Sequence, residues 1–265
     1  MQNPTKSNTA LRWATFIVVI LNIAFNYLYA KFSGVDSVKV ISDKYDNLFT
    51  PAPYAFAIWG IIYLSFIIYC ITQLLPRSQK HEEYELLSGP LLLANIGGSL
   101  WIFVYTNYWI GMSVVVIFAM LILGMILFIR SYKAAYTLGY KVTIPFALFF
   151  GWISVAVIAS VSSWLVSIGW NGAGISETVW TVIMITVATI AALITGISYK
   201  DPIFPAVVAW ATIAIKMKVI GYDSTVELTA MVAAIITGIT AIIYLIKRLT
   251  KKTDINLVKQ GESVK

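Results

Sequence analysis

Eight runs of mostly apolar residues divide this chain almost end to end. They lie near 11–30, 53–75, 86–105, 109–129, 144–168, 179–199, 203–219 and 226–246. About 20 apolar residues at 1.5 Å rise match the roughly 30 Å of hydrocarbon in a bilayer. In that solvent every backbone N–H and C=O must be satisfied internally, so each run is expected to be a helix. The fold class that follows is an all-α integral membrane protein with about eight transmembrane helices. The remaining polar residues are too few for a separate soluble domain. The longest connection, 31–52, carries Asp36, Asp43 and Asp46 among three lysines.

Only 12% of residues are charged, where a soluble domain carries about a quarter. The net charge of +7 therefore reports topology and not a nucleic-acid partner. With both termini on one side, fourteen of the nineteen Lys and Arg residues fall on that side; the other side holds Lys31, Lys39, Lys44, Lys216 and Lys218. The bias predicts a multi-pass protein of the cell membrane with both termini cytoplasmic, the last being a basic tail at 251–265. The first run is too long for a signal peptide and ends Leu28-Tyr29-Ala30-Lys31 without a cleavage signature. The seventh run ends beside Lys216 and Lys218, whose stems can reach the headgroups. A seven-span alternative makes 202–221 partly re-entrant.

No catalytic signature is present. One Cys and one His exclude a Cys/His metal site. The polar residues deep in the runs are amides and hydroxyls: Asn22 and Asn26 on one face of the first helix, Asn95 in the third, and Ser154, Ser160, Ser162 and Ser163 in the fifth. No carboxylate lies among them, which excludes a carboxylate relay of the kind coupled carriers use. Lys216 near the end of an apolar helix has no deep counter-ion for a Schiff base. The expectation is a protein that is not an enzyme, with no catalytic residues, no metal and no resident cofactor.

Aromatic residues carry the stronger signal. Trp59 and Trp152 follow Pro51 and Pro145 by about two helical turns, Trp210 follows Pro202 likewise, and Trp101 lies about three turns after Pro90. Deep indoles need an N–H partner, so Trp59, Trp101 and Trp152 are candidates for one aromatic pocket. Two runs share a small-residue pattern, Ala188-x3-Ala192-x3-Gly196 and Ala230-x3-Ala234-x3-Gly238, which predicts close helix packing on those faces.

The stretch Thr50-Pro51-Ala52-Pro53-Tyr54-Ala55-Phe56-Ala57-Ile58-Trp59-Gly60-Ile61-Ile62-Tyr63 resembles the second helix of the TspO / translocator-protein (tryptophan-rich sensory protein) family. The third run, with Asn95, Trp101 and Phe103, and the fifth, with Pro145, Trp152, Ala156 and Ala159, are similar to later family helices, Ser160 standing where the family has Asn. The resemblance covers about 10–170 and implies a five-helix bundle there, with 171–250 as additional helices. It implies an aromatic-lined pocket for hydrophobic ligands such as porphyrin or haem, sterols and benzodiazepine-type drugs. Carried to this chain, it makes Trp59, Tyr63, Trp101 and Trp152 stacking residues, with Asn95 and Ser160 as polar contacts. The expected function is an integral membrane binding or sensory protein whose partners are the bilayer and a hydrophobic, tetrapyrrole-like small molecule, with a second copy of the chain as a candidate homodimer partner. The alternative is a small-solute transporter with its cavity between the first five helices and the last three.

Overall fold

The computed structural model describes residues 8–262, with side chains described for 8–250. Lys6 and the basic tail at 251–265 lie outside the residues with described side chains. Nine α-helices occur among the described residues: α1 Thr9–Ser33, α2 Val38–Lys44, α3 Ile58–Leu74, α4 Glu83–Thr106, α5 Ile110–Leu138, α6 Ile144–Ser167, α7 Glu177–Tyr199, α8 Ile203–Val219 and α9 Ser224–Glu262. Eight of them coincide with the eight apolar runs. The ninth, α2, forms inside the polar connection 31–52, where the Ser37 side chain caps it by accepting from the Val40 N–H.

Seven described helices, taking α3 with the 3₁₀ turn before it, are long and apolar enough to cross a membrane. The eighth, α8, has 17 residues, about 25 Å at 1.5 Å per residue. Its length is tolerable because much of it faces protein: Phe204, Val207, Val208, Ala211, Ala214 and Ile215 are all buried.

Five helices close a ring in which each packs on its neighbours: α1 on α4, α4 on α5, α5 on α6, α6 on α3, and α3 back on α1. The remaining three, α7, α8 and α9, pack on one another and join the ring mainly through α6 and α8. Polar side chains tie the ring together. Asn22 Nδ2 of α1 donates to Asn95 Oδ1 of α4 at 2.9 Å, and Ser99 and Asn26 both donate to Asn22 Oδ1. Arg12 is fully buried and donates to the carbonyls of Gln73, Ser78 and His81 and to Glu85. It is a lock on the turn between α3 and α4, whose freed carbonyls it satisfies.

Two prolines shape how the second and third spans begin, within the limits of the runs 53–75 and 86–105. The second span opens at Pro53, in a 3₁₀ turn Pro53–Ala57, and not at Pro51. Pro90 lies inside α4. A proline there removes the N–H that would bond the carbonyl four residues earlier; that carbonyl, on Leu86, instead accepts from Arg130 at 2.9 Å.

The two small-residue faces also part company. A Cβ on Gly196 would meet Pro205 Cγ at 2.7 Å and Thr240 Cγ2 at 3.2 Å, so α7 makes the expected close contact. A Cβ on Gly238 meets nothing within 4 Å. The buried face of α9 runs through Val226, Ala230, Ala233, Thr237 and Ala241, rotated away from the predicted Gly238 stripe.

Candidate functional site

The ring of five helices encloses a cavity of about 700 Å³, within the range of small-molecule sites. Every ring helix contributes to its wall, together with α2 and the turn before α3. Trp59 and Tyr63 are four apart on α3, share a face, and stack with ring centroids 5.3 Å apart. Trp101 stacks on Tyr105 of the same helix at 4.7 Å. Trp152, only 2% exposed, packs edge-on against Phe56 at 5.9 Å. Ile117 and Met120 of α5 extend the apolar wall.

Of the six residues singled out from the sequence, Trp59, Tyr63, Trp101, Trp152 and Ser160 line this cavity. Asn95 does not. Its Oδ1 accepts from Asn22 and its Nδ2 donates to the Leu91 carbonyl at 2.9 Å, which commits both ends of the amide to helix packing. The sequence reading did not single out Phe56, Tyr105 or Thr50 for the lining. The spacing of Trp101 and Tyr105, one turn apart like Trp59 and Tyr63, is the signal that could have found Tyr105.

Several polar groups on this wall have no partner. Trp101 Nε1, Trp152 Nε1 and Thr50 Oγ1 are buried without a hydrogen bond among the described residues. A buried donor left unmade costs about 1–3 kcal/mol, so this wall gains if a bound molecule supplies acceptors. Ser154 and Ser162 bond back to carbonyls four residues earlier in α6.

The cavity opens toward the side on which α1 ends. Its mouth carries Lys31 of α1, Lys39 and Asp43 of α2, and Lys218 of α8. Lys39 pairs with Asp43, and Lys218 pairs with Asp46. Next to the mouth, the Tyr108 hydroxyl donates to Asp36, and this bond pushes the phenol above its usual range. Lys44 Nζ sits 4.5 Å from the Tyr108 ring centroid.

Among the described residues Lys218 alone lines the cavity from beyond residue 170, yet the last three helices hold the mouth in place. The Ala52 N–H donates to the Ala214 carbonyl at 3.0 Å, and Trp210 Nε1 donates to the Ala55 carbonyl at 3.1 Å. The Leu48 N–H donates to Glu177 of α7 at 2.7 Å. A cavity between the first five helices and the last three, expected for the transporter alternative, is not where this one lies.

A family model described as TSPO-like protein matches residues 12–243. The chain belongs to the TSPO-like family. The match begins at Arg12 in α1 and continues past residue 170 to residue 243 in α9. This TSPO-like protein matches no curated protein and no solved structure in the same comparisons. As a member of the family it is an integral membrane protein of the TspO type, all-helical and multi-pass.

Proposed function

We propose that this TSPO-like protein binds a hydrophobic, tetrapyrrole-like small molecule in the ring cavity and acts as a binding or sensory protein, not an enzyme. One observation carries the reading. Two indoles from different helices, Trp101 and Trp152, line one cavity of about 700 Å³ with their N–H groups unpartnered, while Trp59 and Tyr63 supply stacked aromatic area beside them. Large rigid aromatic surfaces bind flat ligands at low entropic cost. No described carboxylate or imidazole stands among the deep lining residues to act as a general base. Residues 1–170 are then the binding unit, and 171–250 brace it from outside. The same reading puts the chain in the cell membrane with both termini in the cytoplasm, so reporter fusions at Met1 and Lys265 will agree.

The test is a titration of detergent-purified protein with protoporphyrin, following intrinsic Trp fluorescence. Saturable quenching is expected, and Trp59→Leu combined with Trp152→Leu weakens it severalfold. Trp13→Leu, at a half-exposed position on α1, leaves the affinity unchanged. Equal affinity of the double variant and the wild type overturns the pocket assignment.

A further inference from the structure

The side of the bundle on which α1 ends is poor in cations. Of the fourteen Lys and Arg residues with described side chains, five fall there. Three of those five, Lys31, Lys39 and Lys218, line the mouth of this cavity, where Asp43 is the single lining carboxylate among the described residues. They come from three separate elements, α1, α2 and α8, so neither one loop's composition nor one helix end accounts for the cluster. Cations on this side oppose the charge bias that orients the chain. Their concentration at the mouth of an apolar cavity therefore calls for a local reason.

The three lysines are not equivalent. Lys39 is held by Asp43, and Lys218 is held by Asp46 and reaches the Asn47 carbonyl at 3.4 Å. Lys31 has no carboxylate partner among the described residues. Its Nζ lies 5.9 Å from the centroid of the Phe32 ring. A charge beside low-dielectric walls is poorly screened, and clefts of one sign concentrate ligands of the other. Below the mouth the wall is mostly aromatic and aliphatic, with Thr50, Thr106, Ser160 and Ser163 as its neutral polar members, down to Trp152 and Ile153, both buried.

From this layout we infer that the cavity selects an amphipathic anion: an apolar body held among Trp59, Trp101 and Trp152, with a carboxylate or phosphate group at the mouth against Lys31. Lys39 and Lys218 reinforce the same end, each offset by its own aspartate. This rests on the pocket reading above and adds to it the sign and position of the ligand's charge. The body can be a fused ring system or an acyl chain, because both present apolar surface and both occur with an acidic head.

The experiment uses the full chain in nanodiscs of zwitterionic lipid and a matched pair of probes, 1-pyrenebutyrate and 1-pyrenebutanol, which share ring and tether and differ in charge. Partition into protein-free nanodiscs is subtracted. Pyrenebutyrate is expected to bind about fivefold more tightly than pyrenebutanol, the effect of one charge contact in a partly screened site. Raising salt from about 50 to about 500 mM narrows that preference. Lys31→Gln removes most of it while leaving pyrenebutanol binding unchanged, which separates loss of charge recognition from loss of fold. Displacement by oleate assigns the natural source to acyl chains; displacement by protoporphyrin assigns it to fused rings. Equal affinity for the two pyrenes, or a preference that survives Lys31→Gln, overturns the inference and leaves the pocket reading standing. If neither pyrene nor protoporphyrin binds saturably, both fall.

Discussion

The indole N–H of Trp210 donates to the carbonyl of Ala55 at 3.1 Å, joining α8 to the turn that opens α3. The Trp210 ring also packs edge-on against Tyr54, with centroids 5.3 Å apart. These contacts, with the Ala52–Ala214 backbone bond, set the position of Pro51, Pro53 and Phe56 on the cavity wall. A helix that contributes a single side chain to the lining thereby fixes one whole side of it.

Trp210→Phe keeps an aromatic ring but removes the donor. The expected loss is about 1 kcal/mol of stability, the net worth of one neutral hydrogen bond. Protoporphyrin affinity is expected to fall with it, because the turn can then move off the wall. A thermal melt and a fluorescence titration on the same preparation decide the point. No change in either quantity means that α8 does not brace the turn.

The α7 and α9 glycines give opposite expectations. Gly196→Leu places a side chain where even a Cβ would meet Pro205 at 2.7 Å, and overpacking of this kind costs about 1–3 kcal/mol. Gly238→Leu enters open space and should stay within about 0.5 kcal/mol of the wild type, as surface changes usually do. Thermal stability in detergent separates the two. Equal destabilisation would place Gly238 in a helix contact.

Arg12 is a fully buried charge on which three carbonyls and one carboxylate depend. Arg12→Leu strands the carbonyls of Gln73, Ser78 and His81 and leaves Glu85 without its ion pair. The expected cost is on the order of 3 kcal/mol. Arg77→Gln, an exposed position within the same turn, is the control and should be nearly silent. Urea or thermal unfolding of the two variants side by side tests this, and similar midpoints would remove Arg12 from its role as a lock.

Asp223 caps α9 by accepting from the Thr225 and Val226 N–H groups, and it also accepts from the Thr178 hydroxyl at 2.6 Å. The Thr178 bond, helped by the backbone donors, holds its carboxyl below the ordinary value of 3.8. The folded state therefore favours the ionised form. This contribution is complete above the unfolded pKa and is lost as pH falls through the folded one, below about pH 3.8. Melting profiles of the wild type should show an acid-side decline that Asp223→Asn flattens. Parallel declines in both proteins would mean that other carboxylates govern the acid limb.

How the sequence relates to the structure differs from residue to residue. The run 203–219 and helix α8 share the same limits, because in hydrocarbon a helix ends where its apolar stretch ends. Trp59 and Tyr63 were legible as a pair since four residues on a helix fix a common face whatever surrounds it. By itself the sequence determined the all-helical membrane class, the approximate number of spans, the charge bias between the two sides and the family resemblance at 50–63. All of these depend on the solvent and on local periodicity.

Tertiary structure alone decided which face each helix turns inward. Asn95 spends its amide on Asn22 of another helix, and nothing within α4 distinguishes that partner from a ligand. Gly196 and Gly238 sit in near-identical stretches, yet Gly196 has Pro205 opposite it and Gly238 has open space. Lys31, Lys39 and Lys218 lie far apart in the chain and meet at one mouth only because α1, α2 and α8 end there. Helix spacing fixes neighbours along one axis. Contacts between helices depend on rotation and packing partner, which a one-dimensional pattern does not encode.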